Sequence, residues 1–189
     1  MGRVTTPKQL FMHELQDMYY AEKTLAATLP KLAEEATDAE LTRAFTSHQK
    51  ETERHVSNLE KVFRQVGESP KAQPCPGIEG IKKEHDDFMK ENDPSEAMRD
   101  AFLTGAAART EHYEIAAYTG LVTQARALKE RGAVELLQEN LKQEKEALKK
   151  VETISKRLAK ATNGGSKSRS SSGRSSSSTR ARATTGSSR

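Results

Sequence analysis

Four long stretches of this chain repeat apolar residues at intervals of three and four, and each breaks its repeat with an acid near its centre. Such spacing lays the apolar residues along one face of an α-helix, so each stretch must bury that face against a partner. The first runs from Pro7 to about Glu35, with Leu15, Met18, Leu25, Leu29 and Leu32 inward. Thr6-Pro7 supplies a hydroxyl cap and a proline at the first helical position. Pro30 falls inside the stripe, and since the pattern continues we expect a kink rather than a stop. The second stretch starts at a capping-box pattern, Thr37 with Glu40, and ends near Gly67, with Phe45, Leu59, Val62 and Val66 inward. The third restarts by the same logic at Asp93-Pro94 with Glu96 and reaches about Leu128, with Ala101, Ala108, Ile115 and Val122 sharing a face. The fourth covers roughly Glu130 to Lys160, with Val134, Leu137, Leu141, Leu148, Val151 and Leu158 inward.

The connections limit how these helices assemble. The first two are joined by a very short turn and must lie antiparallel. Residues 68–93 interrupt the pattern with Glu68-Ser-Pro and Pro74-Cys-Pro-Gly, then hold one short helical segment, Ile78 to Lys90. A connection of that length can cross a whole bundle, as in ferritin-like folds. Sheet alternatives fail on composition: there is no Trp, aromatics are 5%, and alternating Val/Ile/Thr runs are absent. The expected fold is therefore all-α, a ferritin-like antiparallel four-helix bundle over residues 1–162 with a long crossover containing a short helix. From Asn163 onward Gly, Ser, Arg and Thr dominate, a composition that cannot bury enough apolar surface to order itself. Residues 163–189 are thus expected to be a disordered basic tail.

The acids inside the stripes fall at matching heights. Glu22 lies at the midpoint of the first helix, Glu51 flanked by His48 and His55 at that of the second, Glu111 with Glu114 at that of the third, and Glu144 at that of the fourth. Helices of similar length packed side by side bring their midpoints to one level. Five carboxylates would then share one interior slab with no inward Lys or Arg, at a cost on the order of several kcal/mol for each unpaired charge. Metal cations remove that cost. Oxygen-rich ligands with one or two imidazoles suit iron or manganese, whereas zinc favours more nitrogen or sulfur. The candidate ligands are Glu22, Glu51, Glu111 and Glu144, with Glu114 either a ligand or an acceptor behind one. His48 and His55 remain open between ligand and interior hydrogen bonding, His55 being preferred. His13, His85 and His112 are expected to be exposed, and Tyr118 to be core with a hydrogen-bonded hydroxyl. Cys75, the one cysteine, is expected to be a free thiol and excludes a cysteine-built site.

Ala21-Glu22-Lys23, the His48…Glu51-Thr52 segment, Glu111-His112-Tyr113-Glu114-Ile115-Ala116 and Glu144-Lys145 resemble the YciE/YciF family of ferritin-like proteins, over about residues 5–160. The resemblance implies a stress-associated, dimeric bacterial protein with a dinuclear metal site, two iron (or manganese) ions per chain. The wider di-iron pattern has Glu-x-x-His in two helices, and here the sequence departs from it. The fourth helix has no His, and the second reads His48-x-x-Glu51-x-x-x-His55.

Net charge separates the two regions. Six of the 31 Lys and Arg lie beyond residue 162, which leaves 25 against 27 acids in the bundle. The bundle is no nucleic-acid module, whereas the tail could contact polyanions without sequence preference. No apolar run reaches the roughly 20 residues that span a bilayer, and Met1 to Leu10 is too polar for a signal peptide, so a cytoplasmic location is expected. Two functions follow, a dinuclear centre reacting with dioxygen or peroxide (or sequestering metal), or a dimeric scaffold tethered to nucleic acid through its tail. If the tail is the tether, deleting residues 163–189 abolishes retention of duplex DNA at low salt in a gel-shift titration. Unchanged retention removes the second reading.

Overall fold

The computed structural model describes residues 3–168. They form five helices, α1 (Pro7–Glu35), α2 (Ala39–Gln65), α3 (Pro76–Asn92), α4 (Glu96–Ala127) and α5 (Arg131–Ser168), with no strand among the described residues. None of these helices is long and apolar enough to cross a membrane. The expected tail boundary at 162 is passed by six residues of helical backbone, and the rest of the tail lies outside the described residues.

Local chemistry explains most helix ends. The Thr6 hydroxyl accepts from Gln9 N (3.2 Å) while the Gln9 side chain accepts from Thr6 N (3.1 Å), and α1 passes unbroken through Pro30. The start of α2 differs from the expected Thr37–Glu40 box. Asp38 is the cap, accepting from Glu40 N (3.1 Å) and Leu41 N (3.0 Å). Thr37 is drawn away because Asp100, buried on α4, takes its backbone N–H (2.8 Å) and its hydroxyl (2.6 Å), together with Asp38 N (2.9 Å). The cap expected at Asp93 is likewise displaced to Ser95. Asp93 instead ends α3 in the left-handed region (φ 39°), which Asp tolerates better than most residues.

The four long helices close a ring, α1 beside α2, α2 beside α5, α5 beside α4 and α4 beside α1. Because α2 and α4 run the same way, the chain must return along the full bundle between them. At about 1.5 Å per residue, α3 covers roughly 25 Å of that return. It lies over the α1–α4 groove, held by Tyr20 to Glu79 (2.7 Å), Lys31 to Asp86 (3.1 Å) and Phe88 stacked on Phe102 (3.7 Å between ring centres). His85 on α3, expected to be exposed, is buried there, with its two nitrogens on Glu35 (2.8 Å) and Asp86 (3.1 Å). Cys75 is also buried, at the start of α3, with its thiol 2.9 Å from the Tyr113 hydroxyl.

The core comes in two apolar halves. Phe11, Leu15, Phe63, Leu121 and Leu137 pack at one end, and Leu29, Leu41, Phe45, Leu103 and Ile154 at the other. Within α4 the expected row is displaced: Val122 is buried, while Ala101, Ala108 and Ile115 are half-buried. The inner row is Leu103, Ala107, Glu111, Glu114, Tyr118, Leu121 and Ala125. In α5 the inner row is Ala133, Leu137, Asn140, Glu144, Ala147, Val151 and Ile154, so Leu137 and Val151 are central and Val134, Leu141, Leu148 and Leu158 lie at its margins. Rows drawn through apolar residues alone drift off the buried face, because that face is polar in the middle and a seven-residue period gains about 20° per repeat on a straight helix.

Asp100 ties the α1–α2 turn to α4 through three donors. Asp100→Ala leaves those donors short of an acceptor and should cost about 3 kcal/mol. The expected result is a lower urea midpoint with an unchanged m-value.

Candidate metal centre

Between the two apolar halves lies a polar layer to which all four long helices contribute. Glu22 (α1), His55 (α2), Glu114 (α4) and Glu144 (α5) are 0% exposed, Glu111 (α4) is 3% and His48 (α2) 7%. Their donor atoms form two groupings, each with its atoms within 4.8 Å of one another: His48, Glu111, Glu114 and Glu144, and Glu22, His55 and Glu144. Glu144 belongs to both. One of its oxygens approaches His55 Nδ1 (2.8 Å) and the other His48 Nε2 (3.7 Å). Glu22 lies 3.2 Å from His55 Nδ1, and Glu111 3.2 Å from His48 Nε2.

Groups around the layer hold these side chains in place. Gln143 Oε1 meets His55 Nε2 at 2.7 Å, which makes Nε2 the protonated nitrogen and turns Nδ1 toward the carboxylates. Tyr118 donates its hydroxyl hydrogen bond to Glu22 and accepts one from Asn140 Nδ2 (2.9 Å). Asn58 Nδ2 donates in turn to Asn140 Oδ1 (2.9 Å), and Lys61 Nζ to Asn58 Oδ1 (3.2 Å), so a chain of donors runs from the surface to the Glu22 carboxylate. The sequence reading placed Tyr118 in the core but missed Asn58, Asn140 and Gln143. Asn58 three residues after His55 and Asn140 four before Glu144 carried a signal, since both continue the inner rows.

Of the candidate ligands, six are brought together and Glu51 is not. The Glu51 side chain is 32% exposed at the rim, 3.4 Å from His48 Nδ1 and accepting from the Ser47 hydroxyl (3.3 Å). The inner row of α2 is His48, Thr52 and His55, at steps of four and three, and Glu51 stands one position to its side. Both His48 and His55 enter the layer, and Glu114 is wholly interior. His13 and His112 are exposed, as expected.

Within the layer Glu22 Oε2, Glu111 Oε2, both oxygens of Glu114, both of Glu144 and His55 Nδ1 make no hydrogen bond. The 2.8 Å approach of His55 Nδ1 to Glu144 lacks hydrogen-bond alignment. These lone pairs converge without donors, and a divalent or trivalent cation is the partner they fit. Without one, protons carry the charge. Burial, and then the Glu144 charge, push the Glu111 and Glu114 carboxyls well above the ordinary carboxylate range. Glu22 is raised by burial despite the opposing His55 charge. Burial alone would lower the His55 imidazolium, but the Glu22 and Glu144 carboxylates outweigh it and raise it to about 10. Glu144 moves the other way, because contact with His55 and the His48 charge overcome the effect of burial.

A family model for a domain of unknown function, DUF892, matches residues 6–163. The chain belongs to the DUF892 family. Protein YciF of Escherichia coli K12 is 37% identical over 141 residues, which is 74% of this chain and 84% of YciF. The crystal structure of that protein, described as a stress protein, superimposes with a TM-score of 0.79 at 33% identity, covering 83% of this chain and 99% of that one. YcfI of Rhodopseudomonas palustris gives 0.77 at 37% identity, covering 79% of this chain and 95% of its own. A Xanthomonas campestris protein at 20% identity, covering 86% of this chain and 99% of its own, shares the fold (TM-score 0.67). The matched residues of the family model take in the crossover helix as well as the four long helices.

The raised groups determine how the metal-free protein responds to pH. Folded Glu22, Glu111 and Glu114 keep protons that the unfolded chain releases above about 4.3, and folded His55 keeps one to about 10 that the unfolded chain releases near 6.5. The folded state binds more protons throughout that window, so stability falls as pH rises. Glu144 and Glu51 have depressed values, and their contribution is lost on the acid side. The melting temperature of metal-free protein should peak near about pH 5 and fall steadily toward about pH 9. A level profile across that range would contradict the charge assignment.

Proposed function

We propose that this protein binds two iron or manganese ions in its central layer and uses them to react with dioxygen or peroxide, or to sequester metal, under stress. The observation that carries this reading is the set of six buried carboxylate oxygens and one imidazole nitrogen that converge without partners, arranged as two groupings that share Glu144. A dry layer of that composition is stable only with cations or protons, and metal binding would displace the protons.

Each residue has a definable task. Glu22 and His55 would hold one ion and Glu111, Glu114 and His48 the other, with Glu144 spanning both. Gln143 fixes the His55 tautomer, and Glu51 with Ser47 orients His48 so that Nε2 faces inward. Tyr118 occupies Glu22 Oε1 and leaves Oε2 free. The apolar halves on either side keep bulk water from the layer. When bound, two adjacent redox ions supply two electrons to one O–O bond. Oxygen-dominated ligation with two imidazoles favours iron or manganese over zinc. The description of E. coli YciF as a stress protein supports the physiological setting.

The purified protein, loaded with iron(II) or manganese(II) at neutral pH, is expected to retain about two ions per chain. Glu144→Ala removes the shared carboxylate and should bring that content below about half an ion per chain. Wild-type protein holding less than about half an ion per chain overturns the proposal, whatever the variant does.

A further inference from the structure

Thr52 is 1% exposed and stands on the inner row of α2 between His48 and His55, the two residues that serve the two groupings. Its hydroxyl has no hydrogen-bond partner. Most of the other helical threonines among the described residues turn the hydroxyl back on their own helix. Thr28, Thr46, Thr110, Thr119, Thr123 and Thr153 each donate to the carbonyl four residues earlier, at 2.6 to 3.2 Å. That bond is the ordinary refuge of a helical hydroxyl. Thr52 does not use it, although the carbonyl of His48 is available at the same offset. A buried hydroxyl that forgoes its local acceptor is normally bonded to something else.

The position of Thr52 suggests what that something is. On α5 the Glu144 carboxylate spans both groupings, while α2, which packs against α5, places no carboxylate between its two imidazoles. Between those imidazoles the buried α2 side chain is Thr52, with its hydroxyl unpartnered. A cavity of about 10 Å³ between α2 and α5, lined by His48, Glu111, Lys150 and Val151 among others but not by Thr52, reaches the layer on the His48 side of Thr52. A space of that size admits about one water molecule, so anything entering is only one atom wide.

We propose that Thr52 forms, with the two groupings, a binding place for a small ligand from solvent that carries a lone pair on oxygen or nitrogen, water or peroxide in class, and that the Thr52 hydroxyl donates its hydrogen bond to that ligand. The proposal rests on the metal reading above and names the residue that would hold an exogenous ligand. Thr52 is a positioning residue for that ligand and holds no metal itself.

Azide serves as the probe, titrated into iron(III)-loaded full-length protein and followed by its charge-transfer absorption. Thr52→Val keeps the shape and removes the donor, whereas Thr52→Ser keeps the donor. All three proteins should carry the same iron. Thr52→Val should bind azide about tenfold more weakly, and Thr52→Ser within about twofold of wild type. Metal-free Thr52→Val should melt no lower than wild type, because its fold loses no hydrogen bond. Wild-type azide affinity in Thr52→Val overturns the proposal, as does loss of iron or a lowered metal-free melting temperature in that variant. Failure of the wild type to hold iron overturns the metal reading and this inference with it. Iron retained with unchanged azide binding overturns the inference alone.

Discussion

The structure turns on how buried negative charge is neutralised at the centre of the bundle. Glu22, Glu111, Glu114 and Glu144 come from three helices and meet where no Lys or Arg of the described residues is buried with them. In the dry interior each uncompensated carboxylate costs more than a hydrogen bond returns, on the order of several kcal/mol. Protons and His55 can carry the balance in the free protein, which makes the layer sensitive to pH. Cations do so with better geometry, because they accept several lone pairs at once.

A layer of this kind needs a frame stiffer than its own contacts. Two apolar halves clamp it above and below, and their packing fixes the relative height of the four helices. Around it, Gln143 bonds His55, Glu51 bonds His48, and the Asn58–Asn140–Tyr118 chain bonds Glu22. The choice of His55 tautomer and the orientation of Glu22 are thus made before any ligand arrives. Tyr118 is part of this frame, since its hydroxyl is both donor and acceptor and has no spare capacity of its own.

The crossover helix has a separate role. By lying on the α1–α4 groove it covers that side of the layer and buries His85, Ile78 and Cys75. Among the described residues no helix covers the α2–α5 side, where His48, Glu111 and Lys150 line a narrow cavity. The family model matches the crossover helix as well as the four long helices.

Helix number, antiparallel pairing, the crossover and the height of the acidic layer were all legible in the chain. Each follows from spacing that a helix converts directly into position: three-and-four periodicity, short turns, and an acid at each midpoint. What remained hidden were choices between neighbours on one helix. Glu51 and Thr52 differ by a single step, about 100° of rotation, and only packing of α2 against both α1 and α5 determined that Thr52 faces inward and Glu51 outward. The caps at Asp38 and Ser95 were decided in the same way, by a buried Asp100 and a left-handed Asp93 that a local reading cannot weigh. Sequence alone set which groups reach the central level. Tertiary structure decided which of them turn into it, because rotation about a helix axis is fixed by all its neighbours together.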